Sequence, residues 1–478
     1  ATLGIEDYGL YNVVGGIVAM FTFLNTAMGN SSHRYIAYAL GKGDEKELNQ
    51  VVSATCLIHW GIAIVILILS ETVGLWFLHN KMVIPEGRMT AANWVYQFSV
   101  VSCMVTIISV PYNAMIIAHE KMGAFAFISI LDAVLKLLIV YLIQISPFDK
   151  LIFYAALILS VGILDRMIYQ IYCHRHFNEA RHIKLHKVPQ LKEMMSFAGW
   201  SLIGNLAFIG NTQGLNILLN MFFGPSVNAA RGIAVQVNGA VKGFVTNFQT
   251  AVSPQIIKSY SQGDYKRLHS LVFSSSKFSF FLLYCMVLPI SIEAKTILGL
   301  WLKEVPDYAV IFTILVLLIT LIEPLSNPID KANQATGKIK DYQLVEGGTL
   351  LLIVPLSYIA LKRGGEPYMV FVVQFVIMSL VQILRLFLVC HKIKMSKREY
   401  VNRVIIRVIL VAFVSAILPV FLFFHLPQTT LTFIVIVLTS IISVLTCSYF
   451  IGLTNNEKVM VRKKTVSLVA KLSSHVKS

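Results

Sequence analysis

The sequence predicts an all-α polytopic membrane protein: two pseudo-symmetric six-helix lobes followed by two further C-terminal helices. Three observations carry this. Apolar runs of about 20 residues, each enough to cross a hydrocarbon core of about 30 Å, recur along the whole 478-residue chain. Only 13% of residues are charged, where soluble domains have about 25%, and the mean hydropathy is +0.72. Finally, two segments of the first half recur in the second half at a nearly constant offset. A β-barrel would show short alternating segments instead.

In chain order, the apolar runs place spans at 8–40, 49–78, 92–118, 123–144, 151–173, 193–222, 226–253, 268–292, 308–328, 342–361, 367–390, 404–425 and 430–452. The seventh is bounded by Pro225 and Pro254. Lys and Arg fall unevenly between the connections. The set 41–48, 119–122, 174–192, 254–267, 329–341, 391–403 and 453–478 holds 25 of them, and the alternate set holds 7. The positive-inside rule therefore puts the first set, with the C-terminus, in the cytoplasm. The net charge of +16 is mostly this orientation signal, which argues against nucleic acid as a partner.

The six cysteines, at 56, 103, 173, 285, 390 and 447, lie within spans or at their ends and imply no disulfide framework. Cys173 with His174, His176, His182 and His186 is a metal-like run, but it reads as a basic loop at a helix end, and no metal or cofactor is expected. No signal peptide is visible after Ala1.

The repeat is legible without gaps. Residues 3–52 align with 223–272 at an offset of 220, pairing Gly4 with Gly224, Gly43 with Gly263, Asp44 with Asp264, Lys46 with Lys266 and Leu48 with Leu268. Residues 110–122 align with 327–339 at an offset of 217, pairing Pro111 with Pro328 and Lys121 with Lys338. Span 193–222 has no counterpart, so one helix is expected before residue 1, giving 14 spans in all. Six spans per half give both lobes one orientation, a parallel repeat. The lobes are expected at 1–190 and 191–400, the two added spans at 401–452 and a basic tail at 453–478.

Intramembrane polar residues are the candidate site. Positions 231, 235, 238, 242, 246 and 249 share one face of the seventh span, which carries Arg231, Asn238, Lys242 and Gln249. In the preceding span, Asn205, Thr212, Asn216 and Asn220 share a face. The equivalent first-half face has Tyr11 and Thr22 where the second has Arg231 and Lys242, with Asn12, Asn25 and Asn30 flanking. A charge at mid-membrane costs about 2.5–3.5 kcal/mol on insertion scales. Such cations either pair with acids or carbonyls between helices, or line a water-filled cavity suited to an anionic cargo. Asp132 with Lys136 at i,i+4, Asp165 with Arg166, Glu323 before Pro324, and Arg385 are further intramembrane charges. Asp132 and Glu323 are the candidate ion-coupling residues. No nucleotide-binding loop of the G-x-x-x-x-G-K-[ST] type is present, and no enzymatic activity is expected.

The stretches "LGIEDYGLYNVVGGIVAMF", "RYIAYALGKGDEKELNQVV" and "AVSPQIIKSYSQGDYKRL" resemble bacterial polysaccharide flippases of the Wzx type. These belong to the multidrug/oligosaccharidyl-lipid/polysaccharide (MOP) exporter superfamily. The resemblance covers essentially all the chain. It implies two lobes around a cationic cavity in the bacterial inner membrane. It further implies translocation of undecaprenyl-pyrophosphate-linked oligosaccharide units by alternating access for surface polysaccharide, O-antigen or capsule, in concert with separate glycosyltransferases and a polymerase. On that reading Arg231 and Lys242 hold the pyrophosphate or acidic sugars, and the Asn and Gln residues hold sugar hydroxyls. The extra spans could provide a groove for the lipid tail. A cation-coupled drug or small-solute exporter of the same superfamily is the alternative. A membrane polysaccharide polymerase fits less well, since the longest outside connections run only about 13–15 residues.

Overall fold

The computed structural model describes residues 11, 14, 22–80, 84, 87–144, 149–181, 190–302, 304–459 and 462, with the side chains of 22–26 excepted. Among these residues there is no strand, and thirteen long helices follow one another. They are α1 (Thr22–Lys42), α2 (Glu45–Asn80), α3 (Met89–Ala118), α4 (Met122–Gln144), α5 (Lys150–His176), α6 (Leu191–Phe223), α7 (Pro225–Ser261), α8 (Tyr265–Ile292), α9 (Ala309–Ala335), α10 (Lys340–Lys362), α11 (Met369–Lys392), α12 (Lys397–His425) and α13 (Thr430–Gly452). Each overlaps one expected span.

Ten of the thirteen are long and apolar enough to cross a membrane. The sequence reading expected thirteen such spans, and the difference has a physical reason. Helices α6 and α7, of 33 and 37 residues, are long enough, but the polar faces that mark the candidate site lower their hydropathy, and α1 is described only from Thr22. Pro254 was expected to end the seventh span, yet α7 runs through it to Ser261, as α3, α8 and α12 run through Pro111, Pro289 and Pro419. A proline removes one backbone hydrogen bond, which neighbouring packing can offset in a membrane helix.

The turns follow from particular residues. Gly43 (φ 73°) and Gly263 (φ 71°) take the left-handed conformation that closes a helix, and Asp44 and Asp264 cap the next one. Asp44 accepts from the amides of Lys46 (2.9 Å) and Glu47 (3.0 Å), and Asp264 from that of Arg267 (3.0 Å). In α2 a π turn at Ser70–Gly74 presents the Ser70 carbonyl to the hydroxyl of buried Tyr96 at 2.8 Å. A Cβ on Gly74 would lie 2.0 Å from that hydroxyl, so the position needs glycine. Helix α9 breaks at Leu321–Ile322, and Glu323 and Pro324 open its second segment, Glu323–Ala335.

The chain divides into two compact units: Ala1–Leu206 with Ile257–Gly263 and Gly337–Lys340, and Ala207–Ile256 with Asp264–Thr336 and Asp341–Ser478. In the first, α3 packs against α1, α2 and α5, burying Val95, Tyr96, Val100, Leu151 and Ala155. In the second, Leu219, Ala230, Phe312, Ile353 and Phe371 form a core, and α8 packs against α9, α12 and α13. A buried ion pair fixes the end of the last helix there. Lys277 of α8, 1% exposed, reaches Glu457 at 2.6 Å and the Gly452 carbonyl at 3.5 Å.

Candidate functional site

In the second unit, α7 and α9 are joined by three polar links in register. Thr320 donates to Asn238 at 2.7 Å, Lys242 meets Glu323 at 2.6 Å, and Asn327 donates to Gln249 at 2.8 Å. Spacing had placed Asn238, Lys242 and Gln249 on one face, and the structure brings Thr320, Glu323 and Asn327 against it. The break in α9 puts Glu323 in the first turn of a new helical segment, opposite Lys242. The pair is half-exposed, with the lysine side chain 38% accessible.

Arg231 lies elsewhere. It is 7% exposed, and its guanidinium donates to the Asn216 side chain and, at 3.2 Å, to the Thr212 carbonyl of α6. Asn216 in turn donates to Gln213 at 3.1 Å. Of the two cations, then, one is partly accessible with an acid partner and one is enclosed by amide and carbonyl oxygens. Asn220 is exposed at the end of α6, and Asn205, partly buried on the same helix, belongs to the first unit. The side chain of Asn25 lies outside the described residues, as do Asn12, His182 and His186.

Two further features of the second unit add charge. Arg385 of α11 bonds Glu346 of α10, both largely buried. Beside them Asp330 accepts from Gln334 at 2.7 Å, and Tyr342 is fully buried. Sequence reasoning found Arg385 but passed over Glu346 and Asp330. The signal was available, since each is an acid within or at the end of an apolar run.

In the first unit a cavity of about 380 Å³ opens between α3, α4 and α5. Ser102, Thr106, Ser109, Asn113, Ser129 and Tyr169 supply its polar wall, and Asp132, Lys136 and Asp165 its charges. Lys136 sits 2.8 Å from Asp132, so Asp165 adds a second carboxyl opposite one ammonium. Arg166 does not neutralise it; its guanidinium donates to the Ile108 carbonyl at 2.7 Å and lies 5.0 Å from the Tyr112 ring. The arrangement suits a small cation or a proton in a polar, oxygen-lined space. Among the described residues no group of three or more His, Cys, Asp or Glu is placed to hold a metal ion.

Comparison with known proteins decides the family. A family model described as polysaccharide biosynthesis protein matches residues 1–260, more than half of the chain. The chain belongs to the polysaccharide biosynthesis protein family. No curated protein matches it. Among solved structures, it is similar to a multidrug resistance MATE family transporter of the MOP superfamily in an outward-facing conformation (14% identity, 82% of this chain and 89% of that one, TM-score 0.68). It is also similar to the MATE transporter ClbM in complex with Rb⁺ (17%, 81% and 90%, TM-score 0.66). A third is a MOP superfamily transporter from Pyrococcus furiosus Vc1 (DSM3638) described as having a binding pocket of reverse polarity (15%, 82% and 93%, TM-score 0.64). At these identities the likeness establishes the fold: this member of the polysaccharide biosynthesis family is a multi-pass, all-α membrane protein with the MOP-superfamily transporter fold.

Proposed function

We propose that this family member translocates lipid-linked oligosaccharide units across the bacterial inner membrane, taking an undecaprenyl-pyrophosphate carrier with its glycan from the cytoplasmic to the outer leaflet and handing it to a separate polymerase. One observation carries the reading: the family match coincides with a half-exposed ammonium, Lys242, set among amides on a long helix of a transporter fold. Lys242 exchanges Glu323 for a pyrophosphate or an acidic sugar. Asn238 and Gln249 exchange their α9 partners for sugar hydroxyls, and Asn216 and Asn220 of the same unit extend the amide set. Arg231 fixes the α6–α7 geometry and supplies a second cation once it leaves Asn216. Deprived of the gene, cells should accumulate the lipid-linked glycan on the cytoplasmic side. The intact gene should relieve this, and Arg231→Ala with Lys242→Ala should not. An unchanged leaflet distribution would overturn the proposal.

The cavity around Asp132 and Asp165 favours a second reading, cation-coupled export of a drug or small solute. Here Asp132 and Glu323, one in each unit, are the candidate coupling residues. Drug susceptibility that changes with the gene, and with Asp132→Asn, would support it over the flippase.

A further inference from the structure

In the second unit, cations from three places in the chain converge on the last turn of α13, and we propose that they hold the headgroup of an anionic phospholipid. That turn is a π turn, Ser448–Gly452, at the end that the basic connections assign to the cytoplasm. Lys277 of α8 reaches the Gly452 carbonyl at 3.5 Å, and Arg407 of α12 donates to the same oxygen at 3.4 Å. Lys458, just beyond α13, donates to the Phe450 carbonyl at 3.1 Å. Arg403 precedes Arg407 by four residues, and both arginines act electrostatically on the Lys277 ammonium.

The acids nearby are already engaged. Glu457 accepts from Lys277 at 2.6 Å and from the amide and the hydroxyl of Thr454 at 2.8 Å each. Glu399 pairs with Arg403 at 3.1 Å. Positive charge on Arg407 and Lys458 is left over, since neither makes an ion pair among the described residues. The last carbonyls of a helix attract cations, so capping α13 accounts for the bonds these two side chains make. It does not account for the donors they keep in reserve. A guanidinium presents a planar fork of N–H donors, and Arg407 spends one of them on a long bond. The rest of the fork matches two oxygens of one phosphate.

What lies beyond Arg407 selects a lipid over a free phosphate. At helical spacing from it, Leu410, Val414, Ile417 and Phe421 share its face of α12, and all four are exposed. From Arg407 to Phe421 the helix rises roughly 21 Å, more than half of a hydrocarbon core of about 30 Å, so an acyl chain has apolar surface along its length. Tyr449 and Phe450 of α13, also exposed, are aromatic side chains of the kind enriched at headgroup depth, and Lys458 lies 5.8 Å from the Tyr449 ring. Anionic lipids give the cytoplasmic leaflet its negative surface, and basic pockets between membrane helices on that side take their headgroups. Uncompensated positive charge suits phosphatidylglycerol, whereas phosphatidylcholine would bring an ammonium of its own. A lipid held here ties the two added spans to α8 of the second repeat.

The inference does not depend on the cargo, and its test needs none. The full chain, purified in detergent, is mixed with equal amounts of phosphatidylglycerol and phosphatidylcholine, and the lipid it retains is identified by native mass spectrometry. The parent should prefer phosphatidylglycerol. Arg407→Gln should lower that preference about tenfold, and Lys458→Gln about threefold. Arg175→Gln, which removes an exposed cation at the end of α5 in the other unit, should leave it unchanged. A preference unaltered in both Arg407→Gln and Lys458→Gln would overturn the site and leave the two cations as caps of α13. An equal loss in Arg175→Gln would also overturn it, as a general effect of net charge. Displacement of phosphatidylglycerol by inorganic phosphate would make the site one for a free anion, and tighter retention of undecaprenyl phosphate would make it a cargo site; either result rejects the phospholipid.

Discussion

The two repeats agree in their turns and differ in their faces. Gly43 and Gly263 share a backbone conformation, Asp44 and Asp264 cap the helices that follow, and Glu120 and Gly337 both turn left-handed. These positions answer to backbone geometry, which a repeat inherits. The helix faces answer to what they touch. Leu57 of α2 corresponds to the buried Lys277 of α8, and Tyr11 and Thr22 correspond to Arg231 and Lys242. At these positions the second repeat carries cations where the first does not, and each is met by a partner in the second unit: Glu457, Asn216 and Glu323. Symmetry of the scaffold with asymmetry of the polar faces points to function residing in the departures.

The largest test of this comparison lies at Lys277. Glu457→Ala would leave a fully buried ammonium without its acid, and breaking a buried pair in this way costs about 3–5 kcal/mol, measurable by unfolding in detergent. Giving the second repeat the first repeat's residue, Lys277→Leu together with Glu457→Leu, should recover most of that loss. A double variant as unstable as the single one would show that the pair itself holds α13. Next comes the transport face. Arg231→Tyr with Lys242→Thr installs the first-repeat residues. Losing charged hydrogen bonds of about 1.5–3 kcal/mol should lower transport about ten- to a hundredfold. Transport within twofold of the parent would make both cations dispensable.

Smaller effects test the shared turns. Gly337→Ala places a side chain at positive φ against Arg34 and should destabilise by about 1–3 kcal/mol. Glu120→Gly relieves strain of about 1 kcal/mol and forfeits the partly exposed ion pair that Glu120 makes with Lys258 at 2.9 Å, worth about as much, so its stability should stay near that of the parent. A large loss from Glu120→Gly would mean that the Lys258 pair is stronger than its exposure suggests.

The smallest expected effect is a pH dependence confined to the first repeat. Burial pushes the Glu179 carboxyl up, but the hydrogen bond with His119 at 2.5 Å, with its charge, holds it below the ordinary glutamate value. A carboxyl depressed in the folded state contributes stability above its unfolded value of about 4.3 and loses it as pH falls through the lower folded value. Unfolding profiles of parent and Glu179→Gln should accordingly converge below about pH 4. Curves that stay parallel through that range would show that Glu179 contributes through packing alone.

How much of this was legible beforehand depends on the range of the interaction. The spans were visible because burial in lipid leaves long apolar runs, and the repeat because turn residues recur at fixed intervals. Side-chain faces followed from helical spacing: Asn238, Lys242 and Gln249 do share one. What that face meets did not follow, because Thr320, Glu323 and Asn327 are separated from it by some eighty residues and periodicity is blind to such pairing. Lys277 was overlooked although the rule applied to Asp132 covers it equally, and Glu457 was read as part of a basic tail. Arg34, buried at the end of α1, escaped because a cation near a span's edge resembles an orientation signal.

The pairing of Lys242 with Glu323 has an electrical consequence. Each unit charge moved across a membrane feels about 2.3 kcal/mol per 100 mV, so a cycle that carried a lone ammonium through the field would be driven or opposed by the voltage. Two opposite charges 2.6 Å apart form a short dipole, and moving them together transfers almost no net charge. The resting transporter can rearrange this part of its structure nearly without regard to membrane potential. Under the proposed flippase cycle, voltage acts on this pair once an anionic cargo unbalances it, whereas the empty pair moves as a neutral unit.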